Sequence, residues 1–244
     1  MPDKTSFANW VRDRAIVADT LDPLSPLDDL EPLRELIGDA RVVAIGESAH
    51  YLREFYLLRH RLLCFLAERC GFTIYALEAP FTEAHAIDAW VQGGPGTVAE
   101  VAAAGVAIEL GRCREMHELL MWMRAYNRSA TTPLRFAGTD VPGSGGSPLP
   151  ALEQVAAYLQ QYDPDALPPL AEGSVEAAFA TEAPLTIANL RAAHPVVHDA
   201  LSFQRMRMED YFMDVSVFDA FDAVACIPQT SCTEREARRQ RSVA

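Results

Sequence analysis

Apolar positions along this chain follow two rhythms. Short unbroken runs, Arg41-Val42-Val43-Ala44-Ile45, then Phe72 to Leu77, then Leu134 to Gly138, carry no alternation and read as buried strands. Between them apolar residues recur at helical spacing. Phe55, Leu58, Leu62, Phe65 and Leu66 predict a long helix after Gly46 that ends at Gly71. A helix around Thr82–Val91 follows, then a Gly93-Gly94-Pro95-Gly96 loop and another helix. A firmer helix around Arg114–Tyr126 carries Met116, Leu119, Leu120 and Met123.

Strand, helix, strand, helix, helix, strand predicts the α/β class, a parallel sheet with flanking helices and right-handed crossovers. Ahead of it, Asp28 or Asp29 caps a short helix bearing Leu30, Leu33, Leu36 and Ile37, closed by Gly38. The chain thus divides into a lead-in segment with a helix, residues 1–37, and an α/β domain, residues 38–244. Beyond Asp140 comes a Gly143–Gly146 linker, then predicted helices around Leu149–Gln161 and Asp199–Asp214. A strand over Ala223–Ile227 and a charged Glu234–Arg241 tail complete the pattern.

Charge narrows the classes of partner. The 244 residues are 50% hydrophobic and 23% charged, with a net charge of −13, and the sequence pI is about 4.8. An acidic protein is poorly matched to a nucleic-acid backbone or an anionic membrane surface. No apolar run reaches the roughly 18 residues that span a bilayer, and Met1-Pro2-Asp3-Lys4-Thr5 is no signal-peptide core. Five cysteines without CxxC spacing fit neither a disulfide scaffold nor a four-thiolate zinc site. The expectation is a reduced, cytoplasmic protein.

Candidate chemistry lies where the strands end. Ile45 leads into Gly46-Glu47, Leu77 into Glu78, and Gly138 into Thr139-Asp140. Open parallel sheets bind ligands outside the carboxyl ends of their strands, so these acids are expected on one rim. His50 is expected in the first turn of the next helix, sharing a face with Glu54 four residues on. Any one of these acids alone would more often be a helix cap. The coincidence of three acids with His50 favours a site.

These same segments resemble the erythromycin esterase family. The opening motif is Val42-Val43-Ala44-Ile45-Gly46-Glu47-Ser48-Ala49-His50, with Arg53-Glu54-Phe55 and Leu58-Arg59-His60-Arg61-Leu62. Further motifs are Gly71-Phe72-Thr73-Ile74-Tyr75-Ala76-Leu77-Glu78, Trp122-Met123-Arg124-Ala125-Tyr126-Asn127 and Phe136-Ala137-Gly138-Thr139-Asp140. The resemblance runs over about residues 38–215. It implies a hydrolase of esters or macrolactones, with His50 as the base that activates water and Glu47 and Glu78 as the acids beside it. Glu54, Arg59, His117 and Asp140 are the implied substrate contacts; Arg53 and Arg61 are further candidates for stabilising an oxyanion. No metal and no cofactor are expected, although Glu47, His50, Glu78 and Asp140 could instead hold Mn or Mg.

The chain also departs from the family pattern. A second-half His-Asn-x-His motif is absent, and Arg207-Met208-Glu209-Asp210-Tyr211-Phe212-Met213, resembling a family helix, lies almost against Phe221-Asp222-Ala223-Val224, resembling a later segment. That implies an internal gap near residues 213–219. The alternative function is therefore an inactive homologue that acts at most as a binding protein. His194 and His198, at helical spacing, are a weaker metal pair.

Overall fold

The computed structural model describes residues 15–47, 49–106, 110–140, 149–164, 204–208, 211–215, 223, 225, 227 and 229–233. The chain divides into two compact units, residues 1–73 with 221–244, and residues 74–220.

In the first unit a 3-10 turn, Asp28–Leu30, precedes the short helix α1, Leu33–Ile37, which stops at Gly38. Helix α2, Arg53–Cys70, follows. It ends at Gly71, whose φ of 77° is the left-handed conformation that glycine adopts without a Cβ clash. Tyr56, Leu63, Cys64, Phe65, Leu66 and Ala67 are buried along α2, as are His60 and Arg61. Arg61 is fully buried, so its guanidinium needs acceptors close by. The Asp29 carboxylate pairs with it, and the carbonyls of Pro26 (2.8 Å) and Asp22 (3.3 Å) accept from it. One side chain thereby ties the lead-in segment to α2.

Residues 41–45 depart from expectation. They form no strand: Val42 is 81% exposed and Ile45 43%. A strand requires a neighbour to exchange ladder hydrogen bonds with, and among the described residues these have none. Helix α2 also begins at Arg53 rather than directly after Gly46, so His50 lies in the turn ahead of it and shares no helix face with Glu54.

The second unit is an α/β arrangement. Strand β1, Ile74–Pro80, pairs in parallel with β2, Arg135–Asp140. Between them run α3 (Ala84–Val91), α4 (Val98–Gly105), a 3-10 turn at Leu110–Arg112 and α5 (Arg114–Asn127). Helix α4 starts on a capping box, in which the Thr97 hydroxyl accepts from the Glu100 amide and the Glu100 carboxylate accepts from the Thr97 amide. Helix α5 buries Glu115, Met116, Leu119, Leu120 and Met123, the spacing of a single apolar face. Asp88 of α3 takes the Arg135 guanidinium through both oxygens and also accepts the Phe136 amide at 2.9 Å, which locks α3 to β2. Asn127 closes the far end, donating to Leu134 O (2.9 Å) and accepting the Leu134 amide (2.7 Å).

Helix α6, Leu149–Tyr162, matches its predicted position. The predicted helix around Asp199–Asp214 is instead an antiparallel hairpin, β3 (Gln204–Met208) with β4 (Tyr211–Val215). Its register sets Arg205 opposite Asp214 and Met206 opposite Met213. Ala223, Ala225 and Ile227 stand outside any strand. Val224 and Cys226, the Gly143–Gly146 linker, His194, His198 and the 234–241 tail lie outside the described residues. No helix among the described residues is long and apolar enough to cross a membrane.

Burial raises the proton affinity of Asp29, but the Arg61 guanidinium and the Asp19 amide hold its carboxyl below the usual range. A carboxyl lowered in the folded state stabilises fully above its unfolded pKa, and that contribution fades as pH falls through the folded value. Asp29→Ala leaves a buried charge unpaired and should cost about 3–5 kcal/mol at pH 7. Urea unfolding at pH 7 and at acid pH checks this: the gap to wild type should shrink in acid, and an equal gap at both would contradict it.

Candidate active site

His50 and Glu47 meet in the first unit. Glu47 Oε1 lies 2.7 Å from His50 Nδ1, and Glu47 Oε2 accepts from the Arg59 guanidinium at 3.1 Å. All three side chains are mostly buried, His50 at 16%, Glu47 at 20% and Arg59 at 12% exposure. The Arg59 guanidinium also lies 4.5 Å over the Tyr56 ring, a cation–π contact that fixes its plane. A carboxylate facing Nδ1 accepts its hydrogen, which makes Nε2 the ring nitrogen able to take a proton. The Nε2 atom is itself buried. Arg59 in turn keeps the carboxylate in place against the ring.

Arg59 and Arg61 sit two positions apart on α2 and serve opposite sides: Arg59 holds Glu47, Arg61 holds Asp29. Arg53 is exposed. Glu54 is occupied at both oxygens by Ser231, whose amide donates at 2.6 Å and whose hydroxyl donates at 2.7 Å. Burial raises the Glu54 proton affinity, yet these two hydrogen bonds hold its carboxyl below the ordinary value.

Glu78, Asp140 and His117 belong to the second unit. Glu78 is exposed near the carboxyl end of β1, and Asp140 closes β2 on the neighbouring strand. The register runs Leu77 to Gly138 and then Pro80 to Asp140, so β1 carries a one-residue bulge at Glu78 and Ala79. Bulges of this kind redirect side chains at the rims of sheets. His117 Nε2 lies 2.9 Å from the Gly111 carbonyl, joining α5 to the preceding 3-10 turn. Among the described residues no cluster of His, Cys, Asp and Glu could hold a metal ion. Cys64 and Cys70 are free thiols, and burial, with Glu68 nearby, pushes the Cys64 thiol up to about 12.

Comparison with known proteins decides the relationship. The family profile described as erythromycin esterase matches residues 67–199. The chain belongs to the erythromycin esterase family. Erythromycin esterase type II of Escherichia coli is 39% identical over 168 residues, 66% of this chain and 38% of its own length. Erythromycin esterase type I of Escherichia coli is 30% identical over 142 residues, 56% of this chain and 32% of its own. The chain thus spans well under half the length of these family members. A solved structure described as a succinoglycan biosynthesis protein superposes with a TM-score of 0.59 and 25% identity, over 68% of this chain and 41% of its own. These comparisons support the α/β fold and the family motifs alike.

Sequence reasoning missed Tyr56, Ser231 and Asp88. Tyr56 was legible in principle, three residues before Arg59 on one helix. Ser231 lies 177 positions from Glu54 and leaves no local signal.

Gly138 permits the bulge. A Cβ there would lie 2.5 Å from Ala79 O and 2.7 Å from Pro80 O. Gly138→Ala should therefore cost about 1–3 kcal/mol and loosen the Phe81 amide, which donates to Asp140 O at 3.1 Å. Hydrogen exchange at Phe81 together with a thermal melt checks it. Wild-type protection in the variant would show that the strand ends absorb the methyl group.

Proposed function

We propose that this member of the erythromycin esterase family hydrolyses a carboxylic ester or macrolactone in the cytoplasm, with His50 as general base and no metal or cofactor. The observation that carries this reading is the 2.7 Å contact between Glu47 and His50 Nδ1, buttressed by Arg59. His50 Nε2 takes a proton from water as the oxygen attacks the ester carbonyl. The tetrahedral intermediate then collapses, and the proton passes from Nε2 to the departing alkoxide. An acid and an alcohol result, which in a macrolactone are the two ends of one opened ring.

Glu47 supports the imidazolium while it exists, a task suited to a carboxylate that cannot turn away from the ring. Glu78 is assigned as a further catalytic acid, and Asp140 as a substrate contact at the rim of the parallel sheet. The likeness to macrolide esterases makes a macrolide the first substrate to try, and antibiotic resistance the corresponding role.

His50→Asn removes the base while nearly preserving size, and should lower hydrolysis about 10²–10⁴-fold. Release of acid from simple esters and inactivation of a macrolide panel measure it. Undiminished turnover in the variant would reject His50, and a folded wild type that hydrolyses nothing would leave the inactive binding homologue. Activity should also survive dialysis against a strong chelator, and its loss there would favour metal ligands at the same acids.

A further inference from the structure

The turn that carries His50 is held from a distant part of the sequence. Tyr51, directly after His50, has a φ of 62°, the left-handed region that a bulky aromatic rarely enters. Such a conformation persists only where its surroundings impose it. The surroundings here are residues 231–233. The Thr233 amide donates to Tyr51 O at 2.8 Å, the Arg53 amide donates to Ser231 O at 2.8 Å, and Leu52 bridges Cys232 in antiparallel fashion. Thr233 is fully buried. The Ser231 amide and hydroxyl both donate to the Glu54 carboxylate, so the same short segment is fastened to the first turn of α2. The 51–53 backbone is therefore gripped by two main-chain hydrogen bonds and a two-pronged side-chain clasp, immediately before and at the start of the helix that bears Arg59.

We propose that residues 231–233, clasped through Ser231 and Glu54, position His50 by fixing the Tyr51 turn, so that Nδ1 meets Glu47. Ser231 and Glu54 act through the backbone and touch no reacting atom; they are positioning residues. The inference rests on the hydrolase reading for its kinetic consequence, though not for its geometry. Its physical content is that a ring held to one carboxylate oxygen needs the peptide on its far side held as well. Without the clasp, Tyr51 can relax to negative φ and the imidazole swings off Glu47.

The test uses the full chain with Ser231→Ala, Ser231→Thr and Glu54→Gln. Two readouts are taken, the kcat and KM of ester hydrolysis and the proton–nitrogen correlations of the His50 ring, which report the hydrogen on Nδ1. Ser231→Ala and Glu54→Gln should lower kcat about 10-fold or more, since small misplacements of a catalytic group are costly. KM should stay near wild type and the Nδ1 signature of His50 should weaken. Ser231→Thr retains the hydroxyl and should restore both. Thermal melts near wild type separate positioning from unfolding, and Glu54→Gln serves should Ser231→Ala fold poorly. If wild type hydrolyses nothing while Ser231→Ala still alters the His50 signature, the clasp stands and the hydrolase reading falls. If both clasp variants keep wild-type kcat and wild-type His50 signals, the clasp is overturned and the hydrolase reading is untouched.

Discussion

A guanidinium removed from water must be surrounded by acceptors, and Arg61 imposes that demand on the first unit. Its partners, the Asp29 carboxylate and the Pro26 and Asp22 carbonyls, come from a segment more than thirty positions earlier. That segment is held to α2 at one rotational setting, because any other would leave the charge uncompensated. Two positions away around the helix, Arg59 is then directed to the opposite side, where it meets Glu47 and the Tyr56 ring. Arg59, which holds Glu47, thus shares its helix with a buried ion pair. Arg34 and Arg69 add weaker support at the surface, Arg34 donating to Arg69 O and Arg69 reaching Glu31.

Polar side chains also organise the second unit. Asp88 and Asn127 satisfy backbone groups at the start of β2 that would otherwise be buried without partners, and Arg135 completes the Asp88 pair. Arg124 lies over the Trp90 ring and donates to the carbonyls of the Gly93-Gly94 turn. Arg124 and Asn127 of the family motif around Trp122–Asn127 thus act as backbone clamps. These contacts hold α3 and α5 against β2, whose carboxyl end carries Asp140 on the strand beside Glu78.

The acids within the two units fall into two kinds. Asp29, Asp88 and Glu54 have their oxygens committed to nearby donors, and each is held below the ordinary carboxyl range despite burial. Glu47 is committed to an imidazole and a guanidinium, groups suited to exchanging or steadying charge. Glu78 stands exposed in a bulge. The distinction lies in the partner, and a partner is a tertiary fact.

Local chemistry made much of this molecule legible from its residues. Gly38 and Gly71 end their helices because a glycine can turn left-handed, and the 3.6-residue spacing of Met116, Leu119, Leu120 and Met123 specifies α5 wherever it packs. Adjacent apolar runs at Ile74–Leu77 and Arg135–Gly138 pair in parallel because the helices between them supply the crossover. What residues alone left undecided depends on neighbours far along the chain. Val42 to Ile45 has strand chemistry, yet a strand exists only where another edge accepts its hydrogen bonds. Residues 204–208 and 211–215 fall in a stretch expected to be helical, yet they pair as antiparallel strands, and a strand partner is again decided by the fold. His50, Glu47 and Arg59 were recognisable as candidates, but the Ser231–Glu54 clasp beside them joins residues 177 positions apart, and no local pattern encodes such a pairing.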